Sequence, residues 1–147
     1  GPANTVNLSP PISKFVKLTI KDEKCTPDKK LFIYQGDVGV DIYLTVSFVK
    51  TVIAPTGVTL SETFDSLEHA WASLRMVTPK KEVITRDRMD IDTDGFIKLS
   101  ITEDLTNEME DIGRYKVQIH LYDREEEDGA NRITTPPFEF EVKKLIE

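Results

Sequence analysis

Cysteine is almost absent from this chain. Cys25 stands alone, so an intrachain disulfide is excluded, and with it a multi-thiol metal site or a Cys-x-x-Cys redox pair. The role left to Cys25 is that of a buried, inert thiol, because Lys24 and Lys29 offer only a weak positive setting for a reactive thiolate. Histidine is scarce too: with only His69 and His120, a three-histidine metal centre cannot be assembled, and neither lies in a recognisable nucleophile motif. No apolar run approaches the roughly 18 residues that span a bilayer, which argues against a membrane partner. Basic charge is in deficit. Nineteen Lys and Arg stand against 26 Asp and Glu, for a net charge of −7. No basic stripe is visible, which speaks against nucleic acid, whose binding depends on cations that neutralise phosphates.

What is present fits one soluble domain. The 147 residues are 39% hydrophobic and 31% charged, without a compositional break that would divide them. Gly1-Pro2 has the look of a scar left by tag cleavage, and Pro10-Pro11 follows. Residues 1–14 are therefore expected to form a flexible leader, residues 15–143 the domain, and residues 144–147, Lys144-Leu145-Ile146-Glu147, the start of a linker or helical stalk.

The richest stretch is Asp111-Ile112-Gly113-Arg114-Tyr115, a tight corner that feeds directly into alternating residues. Tyr115, Val117, Ile119 and Leu121 fall on one face of a strand, with Lys116, Gln118, His120 and Tyr122 on the other. A tyrosine opening a strand after such a turn marks immunoglobulin-like sandwiches, where its hydroxyl returns to the backbone upstream. Val40, Ile42, Leu44, Val46 and Phe48 give a second period-two segment, and Val16, Leu18 and Ile20 a first strand near an edge. Ala70 to Met76 and Glu82 to Thr85, around Thr78-Pro79-Lys80-Lys81, predict a hairpin. Thr102 with Glu103 and Asp104 predicts the start of a short helix, to Glu110, with Leu105 and Met109 on its buried face. From Val52 to Leu67 the pattern dissolves into a long connection with at most a short strand at Val58 to Leu60. Arg124 to Asn131 reads as an acidic hairpin tip, and Thr135-Pro136-Pro137 breaks the final strand, which carries Phe138, Phe140 and Val142 inward. The expected fold is a mainly β, immunoglobulin-like antiparallel sandwich with one short crossover helix. Its core positions are Val40, Ile42, Leu44, Val46, Ala72, Leu74, Leu99, Tyr115, Val117, Ile119, Phe138 and Phe140.

Chemistry is harder to find. Asp90-Ile91-Asp92-Thr93-Asp94-Gly95 imitates the opening of an EF-hand loop, but Ile101 occupies the place of the final bidentate Glu and the flanks read as strands. An acidic turn without calcium is the expectation. No constellation of nucleophile, base and orienting group can be assembled, so no enzyme, cofactor or metal is expected. Glu125-Glu126-Glu127-Asp128 reads as a solvated tip, though such a loop could contact a basic partner. Trp71, Tyr43, Tyr122 and His120 fall on nominally polar faces and are the candidate interface residues. The alternative is a sheet face covered by the Val52 to Leu67 connection.

Four pieces taken together resemble a known family: Tyr34-Gln35-Gly36-Asp37 before the alternating strand, the Gly113-x-Tyr115 corner, His120-Leu121-Tyr122-Asp123, and Ile133-Thr134-Thr135-Pro136-Pro137-Phe138 before Phe140-Glu141-Val142. From about Val16 to Val142 the chain is similar to the N-terminal domain of the baseplate upper proteins of tailed phages that infect Gram-positive bacteria. The Val52 to Leu67 segment and the Asp90 to Gly95 turn match nothing in that family. The resemblance implies a structural virion component, made in the bacterial cytoplasm and placed at the tail tip. There the domain attaches to central baseplate proteins and leads through a helical stretch toward receptor-binding proteins, with the full-length protein oligomeric. Two other readings stand beside it: a bacterial surface or adhesion module, and a carbohydrate-binding module in which Trp71 and Tyr122 stack on sugar rings.

Overall fold

The computed structural model describes residues 11–146, which build two sheets packed face to face around one apolar core. The first sheet holds β1 (Ile12–Lys21), β2 (Lys24–Pro27), β4 (Val40–Ile53), β5 (Thr59–Asp65) and β8 (Ile97–Ile101). The second holds β3 (Phe32–Tyr34), β6 (Trp71–Val77), β7 (Val83–Asp90), β9 (Gly113–Tyr122), β10 (Arg132–Thr134) and β11 (Phe138–Lys143). A 3-10 turn, Ser66–Glu68, follows β5, and the helix α1 (Glu103–Glu108) crosses from β8 to β9. All twelve expected core positions are buried. The alternation that predicts them is the physical cause: one face of each strand is withdrawn from water, and the apolar residues recur every second position to meet it.

In each sheet one long strand, β4 or β9, meets two shorter strands in succession along one of its edges. β4 pairs with β1 along one edge, and on the other with β8 at Val40 to Leu44 and then β5 at Ser47 to Ile53. β9 pairs with β6 along one edge, and on the other with β11 at Gly113 to Val117 and then β10 at Tyr122 to His120. In both sheets the second edge therefore has a gap, and a buried hydroxyl fills each. Ser66 Oγ accepts from the Val46 amide at 3.1 Å and donates to the Gly95 carbonyl at 2.6 Å. Thr135 Oγ1 accepts from the Ile119 amide at 3.0 Å, while the Thr135 amide donates to the Ile119 carbonyl at 2.9 Å. Pro136 and Pro137, which cannot donate to a ladder, then separate β10 from β11.

Local chemistry fixes the ends. Thr102 caps α1 by accepting from the Leu105 amide, Glu103 and Asp104 occupy the first turn, and Leu105 and Met109 are fully buried. Gly113 has φ +130, and a Cβ there would meet the Pro79 ring at 3.2 Å, so the corner before β9 requires glycine.

Several expectations are corrected. Among the pairings of described residues, β1 with β4 and β3 with β11 are parallel, so both sheets are mixed where an antiparallel sandwich was expected. The segment Val52 to Leu67 is no long connection. β4 runs on to Ile53, a turn closes with Gly57 donating to the Ala54 carbonyl at 2.8 Å, and β5 returns. β1 stops pairing at Phe48, so beyond it the hairpin is a two-stranded arm with no core to face. Without burial on one side nothing selects an alternating pattern, and Ile53 and Leu60 are both exposed. β7 extends to Asp90, past the expected Thr85, through a bulge where Ser73 faces both Asp87 and Arg88; inward positions shift from Ile84 to Met89, which conceals the strand from a period of two. At the termini, residues 12–14 of the expected leader lie in β1, residues 1–10 and 147 fall outside the described residues, and residues 144–146 carry no helix.

The corner itself is formed as the sequence suggests. Tyr115 is buried and its hydroxyl donates to the Asp111 carbonyl at 2.7 Å. Burial, followed by the negative charge of Asp111, pushes its phenol up to about 12. Because the unfolded value is about 10, this group's contribution to stability is complete below about pH 10 and is lost as pH rises through about 12. Tyr115→Phe is expected to lower stability by ~1 kcal/mol in urea unfolding at neutral pH and to flatten the alkaline loss between those values. An unchanged neutral-pH midpoint would remove the hydroxyl's role in the corner.

Candidate interaction surfaces

Trp71 starts β6 opposite Tyr122 of β9 and points away from the core, as its position in the alternation predicts. It is nevertheless only 4% exposed. One ring face stacks on Tyr122, with centroids 3.8 Å apart and planes 5° from parallel, and from the β7 side Arg88 lies 4.6 Å over the ring. The indole Nε1 donates to the Arg124 carbonyl at 2.9 Å. The expectation of an exposed Trp71 is therefore corrected. Its cover is not the Val52 to Leu67 segment but Arg88, which the β7 bulge turns outward, and the loop after β9.

That loop is tied down at its neck. The Asn131 amide and side chain donate to the Asp123 carboxylate at 2.8 and 2.9 Å, and these bonds hold the Asp123 carboxyl below its ordinary value. Arg88 then takes the Glu125 carboxylate at 2.6 Å. The acidic tip is thus pinned to the sheet through Trp71 and Arg88. With both ring faces occupied, Trp71 offers no free face on which a sugar could stack.

His120 lies beside Thr134, its Nδ1 2.7 Å from the threonine hydroxyl. Burial first, then the positive charges of Arg132 and Arg75, holds its imidazole below the ordinary value. Tyr43 is on the outer face of the other sheet, far from this group in the fold. It stacks on Phe15 at 5.0 Å and meets Phe96 edge-on at 6.3 Å, and Phe15 is about half exposed. The four candidate residues are thus divided: Trp71, Tyr122 and His120 on the second sheet, Tyr43 on the first. Phe15 and Phe96, which complete the Tyr43 cluster, were not singled out, although Phe15 sits across from Tyr43 in the β1–β4 ladder.

An open groove of ≈ 730 Å³ lies where β4 outruns β1, bordered by Ile20, Phe48, Lys50, His69, Ile133 and Pro136. It has apolar walls and mixed charge. Cys25 is buried, and burial pushes its thiol up to about 11, which keeps it protonated and unreactive at neutral pH. The Asp90–Gly95 turn uses Asp92 internally, its Oδ1 accepting from the Asp94 and Phe96 amides, each at 2.9 Å. Among the described residues no three His, Cys, Asp or Glu side chains gather as a metal set, and no helix is long and apolar enough to cross a membrane.

No protein-family model matches the chain, and no curated protein does. Among solved structures the fold matches the N-terminal domain of phage TP901-1 ORF48, with a TM-score of 0.56 and 14% identity, over 90% of this chain and 99% of that one. The likeness to the N-terminal domain of baseplate upper proteins that the sequence motifs suggest is therefore present in the fold.

Because Trp71 is sandwiched and hydrogen-bonded, Trp71→Ala is expected to cost roughly 3 kcal/mol or more, measured by urea unfolding followed by circular dichroism. A loss below about 1 kcal/mol, the range of ordinary surface substitutions, would contradict this placement.

Proposed function

We propose that this domain is a structural component of a phage tail baseplate, attaching to central tail proteins and linking to receptor-binding proteins, without catalytic activity of its own. The observation that carries the reading is the fold match, which runs through nearly the whole of both chains at low identity. Fold alone does not assign function, but the site chemistry leans the same way: the thiol is neutral and buried, and the aromatic side chains are arranged as braces and clusters suited to packing. The contact face on this reading is the first sheet's outer surface around Tyr43 and Phe15, where a half-exposed ring stack offers an anchor at low entropic cost. Tyr122 and His120 take part on the second sheet, with Trp71 acting indirectly by holding Tyr122 and the acidic tip in place. The full-length protein is then oligomeric through segments outside the domain.

Immunogold labelling of purified tail particles with an antibody against the domain tests this. The expected result is label at the tail tip, with loss of label when the folded Phe15→Ala/Tyr43→Ala protein replaces the natural one. Particles that are complete yet carry no label would overturn the tail assignment; normal labelling by the double variant would remove this face as the contact.

A further inference from the structure

The outer face of the second sheet carries the charge that the chain as a whole lacks. Outward positions on its adjacent strands β10, β9 and β6 include Arg132, Thr134, Lys116, Gln118, His120, Tyr122, Ser73 and Arg75, and none of the outward positions there is a carboxylate, in a protein of net charge −7. Most of the surrounding cations are compensated. Arg88 holds Glu125, Arg86 reaches Glu108 and Arg114 takes Glu139, while Lys116 stands across the ladder from Glu139 without an ion pair to it among the described residues. Arg75 and Arg132 are exposed and form no ion pair among the described residues. They approach His120 from opposite sides of β9, Arg132 on β10 and Arg75 on β6, and both lower its proton affinity. A recess of ≈ 490 Å³ opens here, bordered by Ser73, Arg75, Arg88 and His120, with Asp87 and Glu127 on its rim.

We propose that this face docks an acidic, extended segment of a partner protein, whose carboxylates engage Arg75 and Arg132 across His120. Charge complementarity selects the occupant, since two unpaired guanidiniums on a rigid sheet match carboxylates in a bidentate geometry. The neighbouring position already displays that chemistry, because Arg88 binds the carboxylate of Glu125 while its plane covers Trp71. Spacing fits an extended chain. The two arginines are two strands and four residues apart in the sheet register, which places their Cα atoms roughly 16 Å from one another. Carboxylates four residues apart on an extended segment span about 13 Å, and the long arginine side chains supply the rest. The inference goes beyond the tail reading and does not rest on it, because the same face would recruit an acidic segment whatever particle or surface the domain belongs to.

The test is binding of an octaglutamate peptide to the intact domain, followed by calorimetry and by the His120 imidazole resonances at low ionic strength. Binding that weakens with added salt is expected, with an upward movement of the His120 titration midpoint as anionic charge arrives. Arg75→Gln/Arg132→Gln is expected to weaken binding at least about tenfold, while Lys17→Gln on the opposite sheet leaves it within about twofold. Both arginines are exposed and unpaired, so a melting curve like that of the natural protein is expected for the double variant. Absence of binding, or equal affinity in the double variant, would overturn the proposal. So would equally tight binding of inorganic phosphate or of a DNA oligonucleotide, either of which would make this a general anion face.

Discussion

Two buried hydroxyl groups occupy the places where a strand is missing, and the two-sheet architecture depends on them. β4 and β9 are the long members of their sheets, and no single neighbour covers the second edge of either: β8 gives way to β5, and β11 to β10. The amides left between belong to Val46 and Ile119, both fully buried, where an unpaired N–H costs about 1–3 kcal/mol. Ser66 and Thr135 receive those two amides. Much of the irregular chain can be understood as the means of delivering them. The 3-10 turn carries Ser66 inward, its first residue secured when Asp65 accepts from the Leu67 amide. The Asp90–Gly95 turn brings the Gly95 carbonyl to the Ser66 hydroxyl, and a Cβ on Gly95 would press on Leu67 at 3.1 Å. The acidic turn that imitates a calcium loop thus has a structural purpose. Thr135 stands immediately before the proline pair, where its own amide can still join the ladder.

The parts legible in the sequence are those where burial on one face enforces a period. The core of β4 and β9, the capped helix and the Tyr115 corner were all readable, because each is specified by residues close in sequence. The parts that were not legible depend on relations between strands. The arm beyond Phe48 has no buried side, so Lys50 to Ser61 carries no pattern to detect. The β7 bulge shifts the phase between Ile84 and Met89 and turns Arg88 onto Trp71. A tryptophan on the polar side of a strand is read as exposed, although an arginine on the next strand, β7, covers it. The basic face is hidden in the sequence for a related reason: Arg75 and Arg132 are 57 positions apart in a chain of acidic balance, and only the β6–β9–β10 pairing brings them to one surface.

These observations describe a domain whose polar resources are spent on holding shape. The Asp111 backbone carbonyl accepts the corner hydroxyl, the Asp92 and Asp123 carboxylates close turns, and the single thiol is kept neutral by burial. The Asp92 and Asp123 carboxylates are engaged in satisfying backbone amides. What remains available at the surface is suited to contact: an aromatic cluster on one sheet, unpaired arginines on the other, and an apolar arm that extends beyond the core. A module of this kind can be placed in a larger particle through several faces at once, which is consistent with the assembly role proposed from its fold.

The central claim, that the two hydroxyls complete the interrupted sheets, is most directly tested by native-state amide hydrogen exchange at Val46 and Ile119. The account predicts that both exchange as slowly as their buried neighbours on β4 and β9, near the limit set by global unfolding, while amides in the arm beyond Phe48 exchange much faster. Rapid exchange at Val46 and Ile119, comparable to that of the arm, would contradict it.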